Sequence, residues 1–137
     1  MAAATADRNT RQRAGHSRSI PVAAATKIPA GVMACVNASN LLVNGATSTT
    51  LKCVGVTNAT VDNSAGAASA INGEVYTGIW GPLANSSAGD QIALADVGAD
   101  CYIVDNQTVA KTTASNTRSV AGKVFDVTAE GVWVDFR

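Results

Sequence analysis

Val120-Ala121-Gly122-Lys123-Val124-Phe125-Asp126-Val127-Thr128-Ala129-Glu130-Gly131-Val132-Trp133-Val134-Asp135-Phe136 is the stretch from which the rest of the chain is best read. Two β-branched and aromatic runs flank Thr128-Ala129-Glu130-Gly131, a hairpin signal with glycine where a positive φ is commonly needed. Val124 and Phe125 are adjacent apolar residues and so face opposite ways on a strand, and Trp133 opposes Val132 and Val134 in the same manner. Both faces of the hairpin therefore need cover. A sandwich or small barrel covers one, and a second copy or a partner surface covers the other.

Working outward, the chain from Lys27 onward reads as short β-branched runs punctuated by Gly, Asn, Asp and Ser, at intervals of about 8–12 residues. The expected strands are Val32–Val36, Asn40–Val43, Thr50–Val56, Glu74–Ile79, Gln91–Ala95, Cys101–Val104, Thr108–Lys111, Ser119–Val127 and Val132–Phe136. Asn44-Gly45, Asn63-Ser64-Ala65-Gly66, Ala88-Gly89-Asp90, Asp96-Val97-Gly98, Asp105-Asn106-Gln107 and Ala129-Glu130-Gly131 mark turns, because these residues close tight backbone reversals. Ala65–Ala70 has room for one helical turn. The pattern predicts an all-β chain: a compact small β-barrel or β-sandwich, a jelly-roll-like arrangement included, with an extended N-terminal arm. Residues 1–20 form the flexible basic arm and residues 21–137 a single β domain.

Composition narrows the function. At 137 residues and 47% hydrophobic content the chain can bury roughly 65–70% of its extended surface in one core. Aromatics are only 4% and charged residues 15%, so the bulky anchors that line ligand pockets are scarce. The formal net charge is zero, which removes bulk attraction to nucleic acid or an anionic membrane. Cys35, Cys53 and Cys101 sit at wide spacings in apolar runs, the pattern of small buried hydrophobes in a reducing cytoplasm rather than of a disulfide framework or zinc site. Met1 to Asp7 has no apolar core of signal-peptide length, and there is no uninterrupted 18-residue apolar stretch; neither a secretion signal nor a membrane span is expected. Asn-x-Ser/Thr triplets at Asn37, Asn58, Asn85 and Asn106 follow from the Asn, Ser and Thr content.

The charges are unevenly placed. Residues 1–27 carry Asp7 against Arg8, Arg11, Arg13, Arg18 and Lys27, while residues 28–137 carry five basic groups against nine acids. From Ala6 to Ser19 no apolar residue is larger than Ala, so the segment has nothing to bury and stays extended until something holds it. Arg8, Arg11, Arg13 and Arg18 then lead into Ile20-Pro21-Val22. A solvated tail, a nucleic-acid anchor and a peptide docking on an acidic protein surface are all open for this arm. An acidic body with few aromatics disfavours nucleic acid. Docking is favoured, since a Pro-started apolar segment can add to the edge of another sheet while the arginines meet carboxylates.

A search for chemistry returns little. The lone histidine, His16, lies in the arm, without the rigid support a nucleophilic triad needs. Asp96 with Asp100, and Asp126 with Asp135, fall at expected turns or exposed strand faces, and Glu74 near Trp80 has no partner in sequence. Gly45–Thr50 lacks the lysine of a phosphate-binding loop, and Asp96, Asp100 and Asp105 lack the spacing of a calcium loop. No catalytic residue, metal or cofactor is expected, and the chain does not read as an enzyme.

The carboxyl-terminal third carries a resemblance. Ala88-Gly89-Asp90-Gln91-Ile92, then Cys101 to Thr112, then Thr117-Arg118-Ser119-Val120-Ala121-Gly122-Lys123-Val124, and Gly131-Val132-Trp133-Val134 resemble the small head decoration, or cement, proteins of tailed bacteriophages. The likeness covers about residues 88–134; upstream it extends only to Ile28-Pro29-Ala30-Gly31 and Gly55-Val56-Thr57. It implies a non-enzymatic virion protein, assembled in the host bacterial cytoplasm, that binds the major capsid protein on the outside of the head. Such a protein bridges neighbouring capsid subunits against internal DNA pressure. It implies self-association as well, a homotrimer ranking above a homodimer, with no nucleic-acid or membrane partner. Arg8, Arg11, Arg13, Arg18, Ile20, Pro21 and Val22 are then the expected capsid-binding arm, and Trp80, Phe125, Trp133 and Phe136 the candidates for an oligomer or capsid interface. The rival reading is a host- or glycan-binding β module of a phage tail or fibre, with Trp80 and Trp133 as stacking platforms.

Overall fold

The computed structural model describes residues 2–137. The first half of the fold is an open sheet built from β1 (Ser17–Pro21), β3 (Met33–Val36), β4 (Leu42–Asn44), β5 (Lys52–Thr57) and β7 (Asn72–Tyr76). Their order is β1-β7-β5-β3-β4, with every neighbouring pair antiparallel. A two-stranded ribbon, β2 (Thr26–Ile28) with β6 (Val61–Asn63), lies beside it. The second half is a closed barrel of β8 (Ile79–Asn85), β9 (Asp100–Ile103), β10 (Thr108–Ala110), β11 (Val120–Thr128) and β12 (Gly131–Asp135), in the order β10-β8-β12-β11-β9. Only β10 with β8 is parallel. The chain is thus all-β with a small closed barrel, as the terminal hairpin predicts.

That hairpin forms as its sequence dictates. Thr128 pairs with Gly131, and Gly131 has φ +149 with Leu83 O only 2.3 Å from where a Cβ would stand. Glycine is required both by the backbone angle and by the close approach of β8. Period-two alternation then sends Val132, Val134 and Phe136 inward and leaves Trp133 and Asp135 on the outer side.

One hydrophobic cluster fills the barrel and extends onto the sheet, joining Ile103, Val109, Val132 and Val134 to Met33, Cys35 and Val56. The opposite face of the sheet contributes Ala34, Leu42 and Val75 to a second cluster with Val22 and Ile28, against which Val61 of the ribbon packs. Consecutive residues Met33, Ala34 and Cys35 therefore alternate between the two cores, and the sheet is covered on both faces. Each fully buried Val, Ile or Leu contributes about 1.5–3 kcal/mol.

Four expectations need correction. Gln91–Ala95 is not a strand: Ile92 is buried, but the Asp96 carboxylate takes the Ala93 amide (2.8 Å) and winds Leu94–Asp96 into a single 3-10 turn. The strand expected over Glu74–Ile79 is two, broken at Gly78 (φ +108), with β8 running on to Asn85. Gly81 and Pro82 hide β8 from a sequence reading. They are tolerated because the β8–β12 register slips between Val132 and Val134, where a missing N–H costs no ladder bond. Ala65–Ala70 makes turns, not a helical turn. Finally, the arm ends earlier than residue 20, because Ser17–Pro21 is a strand of the body.

Candidate docking arm and exposed apolar surface

Residues 2–15 contain no strand or helix and are exposed throughout; Met1, the first residue of the expected arm, lies outside the described residues. Arg8, Arg11 and Arg13 point into solvent, and among the described residues none of them makes an ion pair. Attachment to the body begins at Gly15, whose carbonyl accepts from the Thr77 hydroxyl, and at His16, whose carbonyl accepts from the Thr77 amide at 3.0 Å. The body proper starts at Ser17, opposite Tyr76.

The structure corrects the role expected of Ile20, Pro21 and Val22. Ile20 pairs with Gly73 and packs on the second core, Pro21 pairs with Asn72, and Val22 is wholly buried. The Val22 amide donates to Ile71 O at 3.0 Å and the Ala23 amide to Leu42 O at 3.1 Å. Strand addition is indeed what this segment does, but the edge it joins is its own β7. A tethered edge at high effective concentration captures an apolar strand before a foreign one does. Arg18 is carried on the same strand, opposite Val75. It lies at a cleft of about 330 Å³ where the sheet meets the barrel, with Cys53, Asp100, Lys123, Asp135 and Arg137.

The four aromatic candidates separate by burial. Phe136 is core, 8% exposed, drawn in by its amide's bond to Gly78 O at 2.9 Å; as an interface residue it is corrected by the alternation with Val132 and Val134. Trp80 is half-buried against the barrel core, its Nε1–H donating to Thr77 O at 3.0 Å and its ring tilted 57° to Tyr76. Trp133 is half-buried and covers Gly81, where a Cβ would meet its ring at 3.0 Å. Phe125 is different: it is the extra residue of a β-bulge between Val124 and Asp126, and is 53% exposed.

The loop that runs beside this bulge carries two exposed apolar residues that the sequence reading missed. The Gly98 amide donates to Val124 O (2.8 Å) and the Val124 amide to Ala99 O (2.9 Å), which brings the 94–99 loop alongside the bulge. That loop exposes Leu94 (66%) and Val97 (48%). The signal was present as apolar residues around a turn, but the strand assigned to Gln91–Ala95 hid it. No protein-family model matches the chain, and no curated protein or solved structure shows significant similarity to it.

The acids at the turns and strand faces are held in place on the surface. Asp96 pairs with Lys111 at 3.3 Å, Asp100 with Lys123 at 2.9 Å and Asp135 with Arg137 at 2.9 Å. Asp126 accepts from the Val127 amide at 2.8 Å. The Ala93 amide, then Lys111, holds Asp96 below the ordinary carboxylate range, and Arg137 does the same to Asp135. Asp90, in the first resembling phrase, accepts from the Thr112 hydroxyl and from Arg118 Nη1 at 3.3 Å, and these lower it in that order. Arg118 also donates to Thr112 O at 3.2 Å. Asn85, unforeseen from sequence, clamps Ile92 with bonds of 2.8 and 2.9 Å. Among the described residues no three His, Cys, Asp or Glu side chains gather as metal ligands.

Proposed function

We propose that this chain is a capsid decoration protein, which binds the outer surface of a bacteriophage head and bridges neighbouring major capsid protein subunits. The observation that carries the reading is a free, arginine-bearing arm rooted at the edge strand of a self-contained β body. At about 3.3–3.6 Å per extended residue, Ala2 to Ala14 reach roughly 45 Å, far enough to leave the body and lie along an adjacent subunit. Arg8, Arg11 and Arg13 supply charge-assisted bonds to carboxylates there. The exposed group of Leu94, Val97 and Phe125 provides apolar area for the body's own contact with the shell or with another copy.

Self-association multiplies the effect. In a homotrimer, once one arm is seated, the second and third bind intramolecularly, a gain of about 10²–10⁴ over one contact. The protein works by holding neighbours together, with no catalytic step, on the exterior of the virion after assembly in the bacterial cytoplasm.

The test is co-sedimentation with expanded heads built from the major capsid protein of the same phage. A chain lacking residues 1–14 keeps Gly15, His16 and all of β1, so it retains its fold. Its retention on heads is expected to fall at least 100-fold below that of the full chain. Full occupancy by the shortened chain would overturn the role of the arm, and failure of the full chain to bind heads would overturn the function.

A further inference from the structure

Cys35 on β3 and Cys53 on β5 are directly opposed across an antiparallel pair, and directly opposed residues place their side chains on the same face. Both thiols are free, and both belong to the cluster that joins sheet to barrel. Opposed residues in such a pair have Cα atoms about 4.5 or 5.5 Å apart, and either spacing lies inside the roughly 4.4–6.8 Å span that a disulfide bridges. Their Cβ atoms need to close by roughly 1 Å. A bulge in the same ladder, with Ala34 facing Gly55 and Cys35 facing Cys53 so that Val54 is the extra residue, gives the backbone room to do so.

We infer that Cys35 and Cys53 are a covalent modification site, a cross-strand dithiol that a low-molecular-weight disulfide such as oxidised glutathione converts to an intramolecular bond stapling β3 to β5. Access is through Cys53, which is half-buried and faces two surface clefts. Arg18, Lys123 and Arg137 stand on one cleft with Asp100 and Asp135, and Lys52 and Arg118 on the other. Lys123, Arg137 and Arg118 are already paired with carboxylates, so Arg18 and Lys52 supply the positive charge beside Cys53 that suits an anionic oxidant and a thiolate. The interaction between the two thiols holds Cys53 below the ordinary thiol range and Cys35 above it. Cys101 is the bystander: buried, bonded to Gly122 O at 3.5 Å, and pushed up to about 12 by burial.

The exchange balances as two steps. The Cys53 thiolate attacks one sulfur of oxidised glutathione, whose S–S bond breaks to release one glutathione thiolate and leave a mixed disulfide on Cys53. Cys35 then gives its proton to solvent and its sulfur attacks Cys53 Sγ, expelling the second glutathione. Two protein thiols lose two electrons, and one small disulfide becomes two thiols. The product ties together two of the three inner strands of the sheet whose outer strand carries the arm, and it becomes available when the protein leaves a reducing cytoplasm.

The test uses the folded full chain, incubated with oxidised glutathione, then unfolded in guanidinium, blocked with N-ethylmaleimide and read by intact mass and non-reducing peptide mapping. One blocked thiol, at Cys101, and a single Cys35–Cys53 cross-linked peptide are expected, against three blocked thiols in dithiothreitol. C101S should give the same cross-link, and C53S none. Three free thiols after oxidation, a cross-link through Cys101, a mixed disulfide at Cys53 that persists, or a disulfide between two chains would each overturn the inference. Because the wild-type map decides alone, a poorly folding C53S leaves the test intact.

Discussion

The barrel and the open sheet solve the same problem, a strand's unpaired edge, in opposite ways. The barrel closes β9 onto β10 and so has no edge to offer. The sheet leaves β1 on the outside, with β4 bridged to the segment after β1 at Val22–Leu42, and the chain before Gly15 runs through residues 2–14 without a strand partner. Closure makes a body that is stable by itself; the open margin gives that body a limb. If the arm docks as proposed, loss of docking and loss of stability should be separable by substitutions in different parts of the molecule.

The largest effect on stability is expected at the barrel's tightest point. Gly131→Ala forces a Cβ to 2.3 Å from Leu83 O at φ +149 and should cost more than about 3 kcal/mol in urea unfolding. Gly31→Ala in the sheet half, at φ +78 with open space around it, should cost about 1 kcal/mol. Equal losses would break the contrast between a crowded glycine and an open one; Gly55 of the sheet, with Tyr76 O also 2.3 Å from its Cβ position, should behave like Gly131. Next comes Leu42→Ala, which empties a wholly buried position under Val22; a loss of about 2–5 kcal/mol is expected, with new proteolytic cleavage between Ser17 and Ala23. Phe125→Ala, at the exposed bulge, should change stability by less than about 0.5 kcal/mol.

Acid should act more on the barrel half, which holds three lowered carboxyls against one, Asp62 held down by Ser64, on the ribbon. Asp90, Asp96 and Asp135 all have their carboxyls lowered by donors in that half. A depressed folded value means the contribution is complete above the ordinary carboxylate value near ~4 and is lost as pH falls through the lowered values. The melting temperature should therefore be level from about pH 5 to 8 in these groups' contribution and decline below about pH 4, with a shallower decline in Asp90→Asn. A steeper acid loss in Asp90→Asn would contradict the assignment. The smallest effect is expected at Ala114, first of three consecutive non-glycine residues at positive φ (49, 59 and 64 for Ala114, Ser115 and Asn116). Ala114→Gly should stabilise the fold by about 0.5 kcal/mol.

The two halves also differ in how much of them the sequence discloses. The barrel is readable from one hairpin, because Val132, Val134 and Phe136 alternate strictly and Gly131 marks the turn. The sheet half is harder. β1, β2 and β6 are short and carry few apolar residues, so their register comes from backbone pairing with distant strands, as Ser17 does with Tyr76. The arm shows this limit well. Its charge and lack of apolar residues are plain in the sequence from Ala6 to Ser19, but that Ile20, Pro21 and Val22 would find a sheet edge inside their own subunit depends on where β7 lies. Among the aromatics, Phe136 was misplaced although its alternation with Val134 was visible, whereas the exposure of Phe125 depends on a bulge that no local pattern announces.

Hydrogen exchange across residues 2–14, followed on the full chain alone and on the same chain bound to expanded heads, tests the division of labour most directly. The account predicts amides that exchange within seconds in the free protein and become protected on the shell, with the barrel strands protected equally in both. Protection of the arm already in the free chain, or an arm that stays unprotected on fully decorated heads, would contradict it.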